Sequence, residues 1–190
     1  LLYKPIKKCM MSSLKGIITL MKPDEEKLIS CYKLKNVAFI GYMSSSSSSN
    51  YSNEFFHEDF VKYRVLLGNN TNCVQYHFKV LDALKKFSGK IDVHCLLNYS
   101  LNKEDKLYKE IIDIGHDFFG DRFQTIETMM TQEEYLNFLK SYDVYICAKP
   151  EQTGLGANYR CLRLGKKVFL AGNNYEWFAS LGCKLYKVDD

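Results

Sequence analysis

From residue 61 onward, short apolar runs alternate with longer segments of helical periodicity, and this alternation leaves few folds open. The runs at 64–68, 91–97, 123–126, 143–147, 167–170 and 184–188 have the length and composition of strands. Between them, 73–87 carries Val80, Leu81 and Leu84 at helical spacing and is closed by Gly89, while 103–118 turns Leu107, Ile111, Ile112 and Ile114 to one side. Thr131-Gln132-Glu133-Glu134 is a capping box, in which the threonine oxygen and a carboxylate satisfy the free amides of a helix running to about residue 141. Helices at 157–164 and 175–181 are stopped by Gly165 and Gly182. Consecutive parallel strands need a connection long enough to return, and such crossovers are right-handed. The pattern therefore predicts a doubly wound α/β fold with a mostly parallel sheet covered by helices.

The earlier residues follow another pattern. Ser44 to Ser49 is an unbroken serine run followed by Asn50, Tyr51, Ser52 and Asn53, a composition that cannot bury apolar surface and reads as a linker. Before it come a lysine-rich helix expected over 3–22, a second helix begun at Pro23-Asp24-Glu25-Glu26, and a short strand over 37–41. Residues 1–60 thus read as the remnant of an N-terminal domain plus a Ser-rich linker, and 61–190 as the α/β domain. The chain opens on Leu1 without a charged-then-apolar leader, as expected of a piece excised from a longer protein.

Composition narrows the function classes. The longest apolar runs, such as Ile17 to Leu20, fall far short of the roughly 18–20 residues a membrane-spanning helix requires. Seven scattered cysteines, an odd number without close pairs, favour a reducing cytoplasm, and no His or Cys pairing suggests a metal. A net charge of +4 with pI near 8.6 is too mild to indicate nucleic acid. Residues 1–36 hold eight lysines against Asp24, Glu25 and Glu26, and the remainder nets −1. Such a basic segment fits either ordinary solvated lysines or a peripheral contact with an anionic membrane surface.

In an open parallel sheet, ligands sit beyond the carboxyl ends of the strands, where helix amino-termini present free amides. The first such loop begins Gly68-Asn69-Asn70, which reads equally as a close approach to a ligand and as a turn with an N-cap. Gln152-Thr153-Gly154-Leu155-Gly156 brings two glycines and two neutral polar residues to a helix start, where a diphosphate would receive backbone hydrogen bonds; a bland tight turn is the alternative. Neither G-x-G-x-x-G nor the phosphate-binding G-x-x-x-x-G-K-[ST] spacing is present. Asn173, Asn174, Glu176 and Trp177 follow a third strand, with Glu176 either accepting from ribose hydroxyls or favouring the helix dipole, and Trp177 either stacking on a ring or filling the core. Asn98 and Tyr99 end another strand with the same ambiguity. His77 lies on the first helix, either reaching back to the site or packed as a helix histidine. No nucleophile with an adjacent base is legible, so no catalytic residue is assigned.

The order of these motifs resembles a known family, the bacterial TDP-N-acetylfucosamine:lipid II N-acetylfucosaminyltransferases, also called 4-alpha-L-fucosyltransferases (glycosyltransferase family 56). The resemblance covers about residues 61–190. A strand ending in Leu-x-Gly-Asn-Ser, with a histidine nine residues past the glycine and Leu-x-x-Leu beyond, is matched by Leu66-Leu67-Gly68-Asn69-Asn70, His77, Leu81 and Leu84, with Asn70 where serine is usual. An Arg-Gln-Gln-Gly-x-Gly motif is matched by Glu151-Gln152-Thr153-Gly154-Leu155-Gly156 at Gln152 and both glycines, but not at the arginine or the second glutamine. Gly120-Asp121-Arg122-Phe123, Glu134-Tyr135-Leu136, Gly165-Lys166-Lys167-Val168 and Trp177 are similar as well.

The resemblance implies a Rossmann-like domain of the two-domain GT-B type, the C-terminal, donor-binding half of a transferase that lacks most of its N-terminal domain here. It implies a TDP-sugar donor, a 4-acetamido-4,6-dideoxyhexose, and a polyprenyl-diphosphate-linked acceptor at the inner face of the cell membrane. Gly68, Asn69, Asn70, Gln152, Thr153, Gly154 and Gly156 would contact the donor diphosphate, and His77, Asn98, Tyr99, Asn173, Asn174, Glu176 and Trp177 the nucleoside or sugar. Such enzymes neutralise the leaving diphosphate with helix dipoles and side chains, so no metal and no cofactor is expected, nor is a nucleic-acid partner. The rival reading is a non-catalytic α/β ligand-binding or regulatory module, since fold alone does not select between them.

Overall fold

A computed structural model of the chain describes residues 3–42, 62–68, 74–98 and 104–188. The chain divides into two compact units, one containing the described residues up to 42 and the other those from 62. The serine run, Asn69, Asn70 and Tyr99 lie outside the described residues.

The first unit holds α1 (Tyr3–Ser12), β1 (Ile17–Thr19), α2 (Lys22–Tyr32) and β2 (Val37–Phe39). The helix expected over 3–22 is therefore a helix and a strand. Ser12 and Ser13 turn their hydroxyls onto the carbonyls of Lys8 and Met10, and the β-branched run Ile17-Ile18-Thr19 after Gly16 takes the extended conformation. β1 pairs in parallel with β2, so β1-α2-β2 is a crossover unit. Pro23 sits in the first turn of α2, and Lys22 pairs with Glu25 there.

The second unit contains β3 (Tyr63–Leu67), α3 (Val74–Leu84), β4 (Ile91–Leu96), α4 (Lys106–Phe119), β5 (Phe123–Ile126), α5 (Gln132–Lys140), β6 (Val144–Cys147), α6 (Leu155–Arg163), β7 (Lys167–Leu170), α7 (Gly172–Ser180) and β8 (Tyr186–Lys187). All six strand runs read from the sequence are strands, and every neighbouring pair is parallel, in the order β5-β4-β3-β6-β7-β8. From β3 the chain steps outward through β4 to β5, returns past its starting point to β6, and steps outward the other way through β7 to β8. Right-handed crossovers then put α3 and α4 on one face and α5, α6 and α7 on the other.

Both faces of the central strands are consequently buried, which explains why Val65, Leu66 and Leu67 form an unbroken apolar run. One core joins Val65, Leu67, Val93 and Ile146 to Val80 and Leu81 of α3 and Ile111 of α4. Fully burying such a side chain contributes about 1.5–3 kcal/mol. Gly115 lets α4 approach β5 so closely that a Cβ there would collide with the Phe123 ring. The capping box is present: the Glu134 amide donates to Thr131 Oγ1 at 3.3 Å and the Thr131 amide to Glu134 Oε2 at 2.7 Å, which holds the Glu134 carboxyl below its ordinary range. At the amino end of the sheet, Asp143 accepts from the Arg64 amide at 2.8 Å and so ties β6 to β3.

Candidate functional site

The chain leaves β3 in one direction along the sheet and re-enters at its other neighbour, β6. The carboxyl ends of β3 and β6 are therefore the switch point at which helices diverge to opposite faces and leave a crevice. The two ends are joined, with the Gly68 amide donating to the Ile146 carbonyl at 3.0 Å. They are also bridged above the sheet, where Tyr76 Oη in the first turn of α3 donates to Glu151 Oε2 in the loop after β6 at 3.4 Å. A cavity of about 100 Å³ lies between these elements, bounded by Tyr76, Ala148, Pro150 and Ala171 among others.

The loop from β6 to α6 is held from beneath. Asn174, fully buried in α7, donates from Nδ2 to the Glu151 carbonyl at 2.9 Å and the Lys149 carbonyl at 3.3 Å, and its Oδ1 accepts from the Thr153 amide at 3.5 Å. The Asn173 amide donates to the Pro150 carbonyl at 2.9 Å. Gly172, at φ +48°, packs against Pro150 so tightly that a Cβ would stand 2.5 Å from its carbonyl oxygen. Asn158 in α6 donates to the Thr153 carbonyl at 3.2 Å from a fully buried side chain, whose Oδ1 finds no hydrogen-bond partner among the described residues.

Gly154 closes the loop in the left-handed conformation, at φ +62°, and serves as N-cap of α6. It has no side chain to spend on the first-turn amides, so α6 presents its positive end at the carboxyl edge of the sheet without an internal anion. Gln152 and Glu151 are exposed beside it.

The residues expected at the site are distributed as follows. Gln152, Thr153, Gly154 and Gly156 form the held loop and the start of α6. Gly68 reaches the same edge but is buried, and a Cβ on it would lie 2.6 Å from Cε2 and 2.9 Å from Oη of Tyr145. The side on which glycine would admit a ligand is filled by that ring. Asn98 lies just past the end of β4, on the side of β3 away from β6, half-buried with its Oδ1 shielded from solvent and unpartnered among the described residues. His77 is buried on the sheet-facing side of α3 with Val74, Val80 and Leu81; burial lowers its pKa from 6.5 to about 4, so the ring is neutral. In α7, Glu176 is exposed, Trp177 is buried beside Phe178, and Asn174 directs its amide into the loop.

Sequence reasoning missed Asn158, Tyr145 and Tyr76. A signal for Asn158 was present, since it shares the buried side of α6 with Leu155, Ala157 and Cys161, where a lone amide must find a partner. Among the described residues, no three of His, Cys, Asp and Glu are grouped as a metal site would require, and no helix is long and apolar enough to cross a membrane.

No protein-family model matches the chain, and no curated protein matches it. Among solved structures, it is similar to the C-terminal domain of a glycosyl transferase group 1 family protein (LpcC) from Francisella tularensis, with 14% identity over 67% of this chain and 67% of that one and a TM-score of 0.48. It is also similar to a chain of the GtfA/B complex, with 14% identity, all of this chain covered and a TM-score of 0.54, and spans 37% of that chain's length. What this likeness shows is the fold, a mostly parallel sheet with flanking helices.

Proposed function

We propose that this chain is the donor-binding part of a GT-B glycosyltransferase, with residues 61–190 as its nucleotide-sugar domain and 1–60 as part of the acceptor-side domain and linker. The observation that carries the reading is the loop 149–154, fixed by Asn174 at the switch point and leading into an α6 amino-terminus that no side chain caps. A donor diphosphate accepting from the first amides of α6 would have its developing charge stabilised by donors already in place. In this reading Gln152 and Thr153 flank that position, and Asn173 and Glu176 on α7 would contact the nucleoside.

On the family resemblance, the donor is a TDP-linked 4-acetamido-4,6-dideoxyhexose and the acceptor a polyprenyl-diphosphate-linked saccharide at the inner membrane face. The acceptor hydroxyl oxygen would bond to the anomeric carbon as the bond from the sugar to the diphosphate breaks through an oxocarbenium-like transition state, TDP leaving with the electron pair and the hydroxyl proton passing to a general base. Calorimetric titration of the folded chain with TDP tests the reading, and saturable heat is expected. Gln152→Ala, at an exposed position, should weaken binding without lowering the melting temperature. Absence of heat at millimolar TDP with intact circular dichroism would overturn it.

A further inference from the structure

Both backbone polar groups of Thr153 are held by buried side-chain amides, and the two amides come from different helices. The Thr153 N–H donates to Asn174 Oδ1 of α7 at 3.5 Å, and the Thr153 carbonyl accepts from Asn158 Nδ2 of α6 at 3.2 Å. Asn158 is fully buried on the side of α6 that carries Leu155, Ala157 and Cys161, so this carbonyl is drawn toward the protein interior. The C=O and N–H of one trans peptide point in opposite directions. The Gly154 N–H, which shares that peptide plane, is thereby turned outward, and no carbonyl of the described residues accepts from it.

Gly154 is left-handed, at φ +62° and ψ +23°, and Leu155 opens α6 in the right-handed conformation. Adjacent residues of opposite hand aim successive amides into one concavity that takes up anions. Here these are the amides of Gly154, Leu155 and Gly156, and both glycines are only half-buried. Stability alone does not account for an asparagine at 158. Its Oδ1 is buried without a hydrogen-bond partner among the described residues, whereas a leucine of similar size would leave no acceptor unpaired. The opposite amide orientation would set Oδ1 against the Thr153 carbonyl oxygen and orphan the donor side instead.

We propose, on the reading of this loop as the donor-diphosphate site, that Asn158 is a positioning residue: by holding the Thr153 carbonyl inward it keeps the Gly154 amide turned out as a third donor beside those of Leu155 and Gly156. Nuclear magnetic resonance of isotope-labelled protein titrated with TDP reads that amide directly, and its proton should move downfield as the nucleotide saturates. Asn158→Leu keeps the volume and removes the unpaired acceptor. It should melt within about 3 °C of the parent yet bind TDP about tenfold more weakly, the effect of misdirecting one donor to a charged group. An amide with a merely structural role would do the reverse, lowering the melting temperature while the folded protein keeps its affinity. If the leucine variant fails to fold, Asn158→Ala takes its place, with the same loss of affinity expected. A Gly154 amide that stays in place while TDP shifts its neighbours, or a folded variant with the parent's affinity, overturns the role of Asn158 and leaves the donor-binding reading standing. No saturable TDP binding by the folded parent overturns both.

Discussion

Asn174 Nδ2 donates to the Glu151 carbonyl at 2.9 Å, so a side chain in the first turn of α7 fixes the backbone of the loop after the preceding strand. Together with the Lys149 carbonyl and the Thr153 amide, this uses the donor and acceptor sides of one buried amide. Asn174→Ala would leave three loop groups without that partner and should cost about 2–4 kcal/mol, lowering the melting temperature by roughly 5–15 °C. Asn174→Asp keeps the shape but sets a carboxylate against two carbonyl oxygens, and should be at least as harmful. Thermal melts by circular dichroism measure both, and an alanine variant melting within a degree of the parent would remove the amide from its supporting role.

Gly68 and Tyr145 separate packing from ligand approach as the reason for a glycine at the end of β3. Tyr145 is 1% exposed and its ring cannot move aside freely, so Gly68→Ala should destabilise by about 1–3 kcal/mol through overpacking. In a Tyr145→Leu background the same alanine should cost far less, and the difference between the two costs is the coupling of the pair. A neutral Gly68→Ala in the parent would show that the ring is not what excludes a side chain there.

The strands were legible because each is a short apolar run between Gly, Asn or Asp, and because their alternation with helices leaves only parallel crossovers to join them. The box at Thr131 was legible for the same local reason, since all its partners lie within four residues. What holds the site is not local. Asn174 meets the 149–153 loop from 21 to 25 residues away, and Tyr145 meets Gly68 across 77 positions, so no window of sequence contains both partners. The same limit left Asn174 readable only as a polar residue at a helix start, which suits a nucleoside contact as well as a loop support.

His77 should leave a signature in acid. Its folded pKa is lowered to about 4 by burial, while the unfolded ring titrates near 6.5. Above pH 6.5 the ring is neutral in both states and its contribution is constant. Between 6.5 and about 4 the unfolded chain takes up a proton that the folded chain refuses, so stability falls as the pH falls, by about 1.4 kcal/mol per unit. Denaturant unfolding at pH 7 and pH 5 should therefore show the parent losing about 2 kcal/mol more than His77→Gln. Equal losses would mean that the ring protonates in the folded protein.

Glu151 stands exposed beside the proposed diphosphate position, where the resembled family carries arginine, and its carboxylate accepts a hydrogen bond from Tyr76 Oη at 3.4 Å. A carboxylate there opposes a pyrophosphate, and the opposition is weakened by solvent rather than abolished. Glu151→Gln should therefore tighten TDP binding modestly, and Glu151→Arg should tighten it by about tenfold or more by adding a planar donor suited to phosphate oxygens. The gain should shrink as salt is raised from 50 to 500 mM, roughly in step with the shorter screening length. Because the side chain is at the surface, neither change should move the melting temperature by more than about a degree or two. Calorimetry of the three proteins across that salt series measures the effect, and an arginine variant that binds TDP no better than the parent at low salt would place the phosphates away from the α6 amino-terminus.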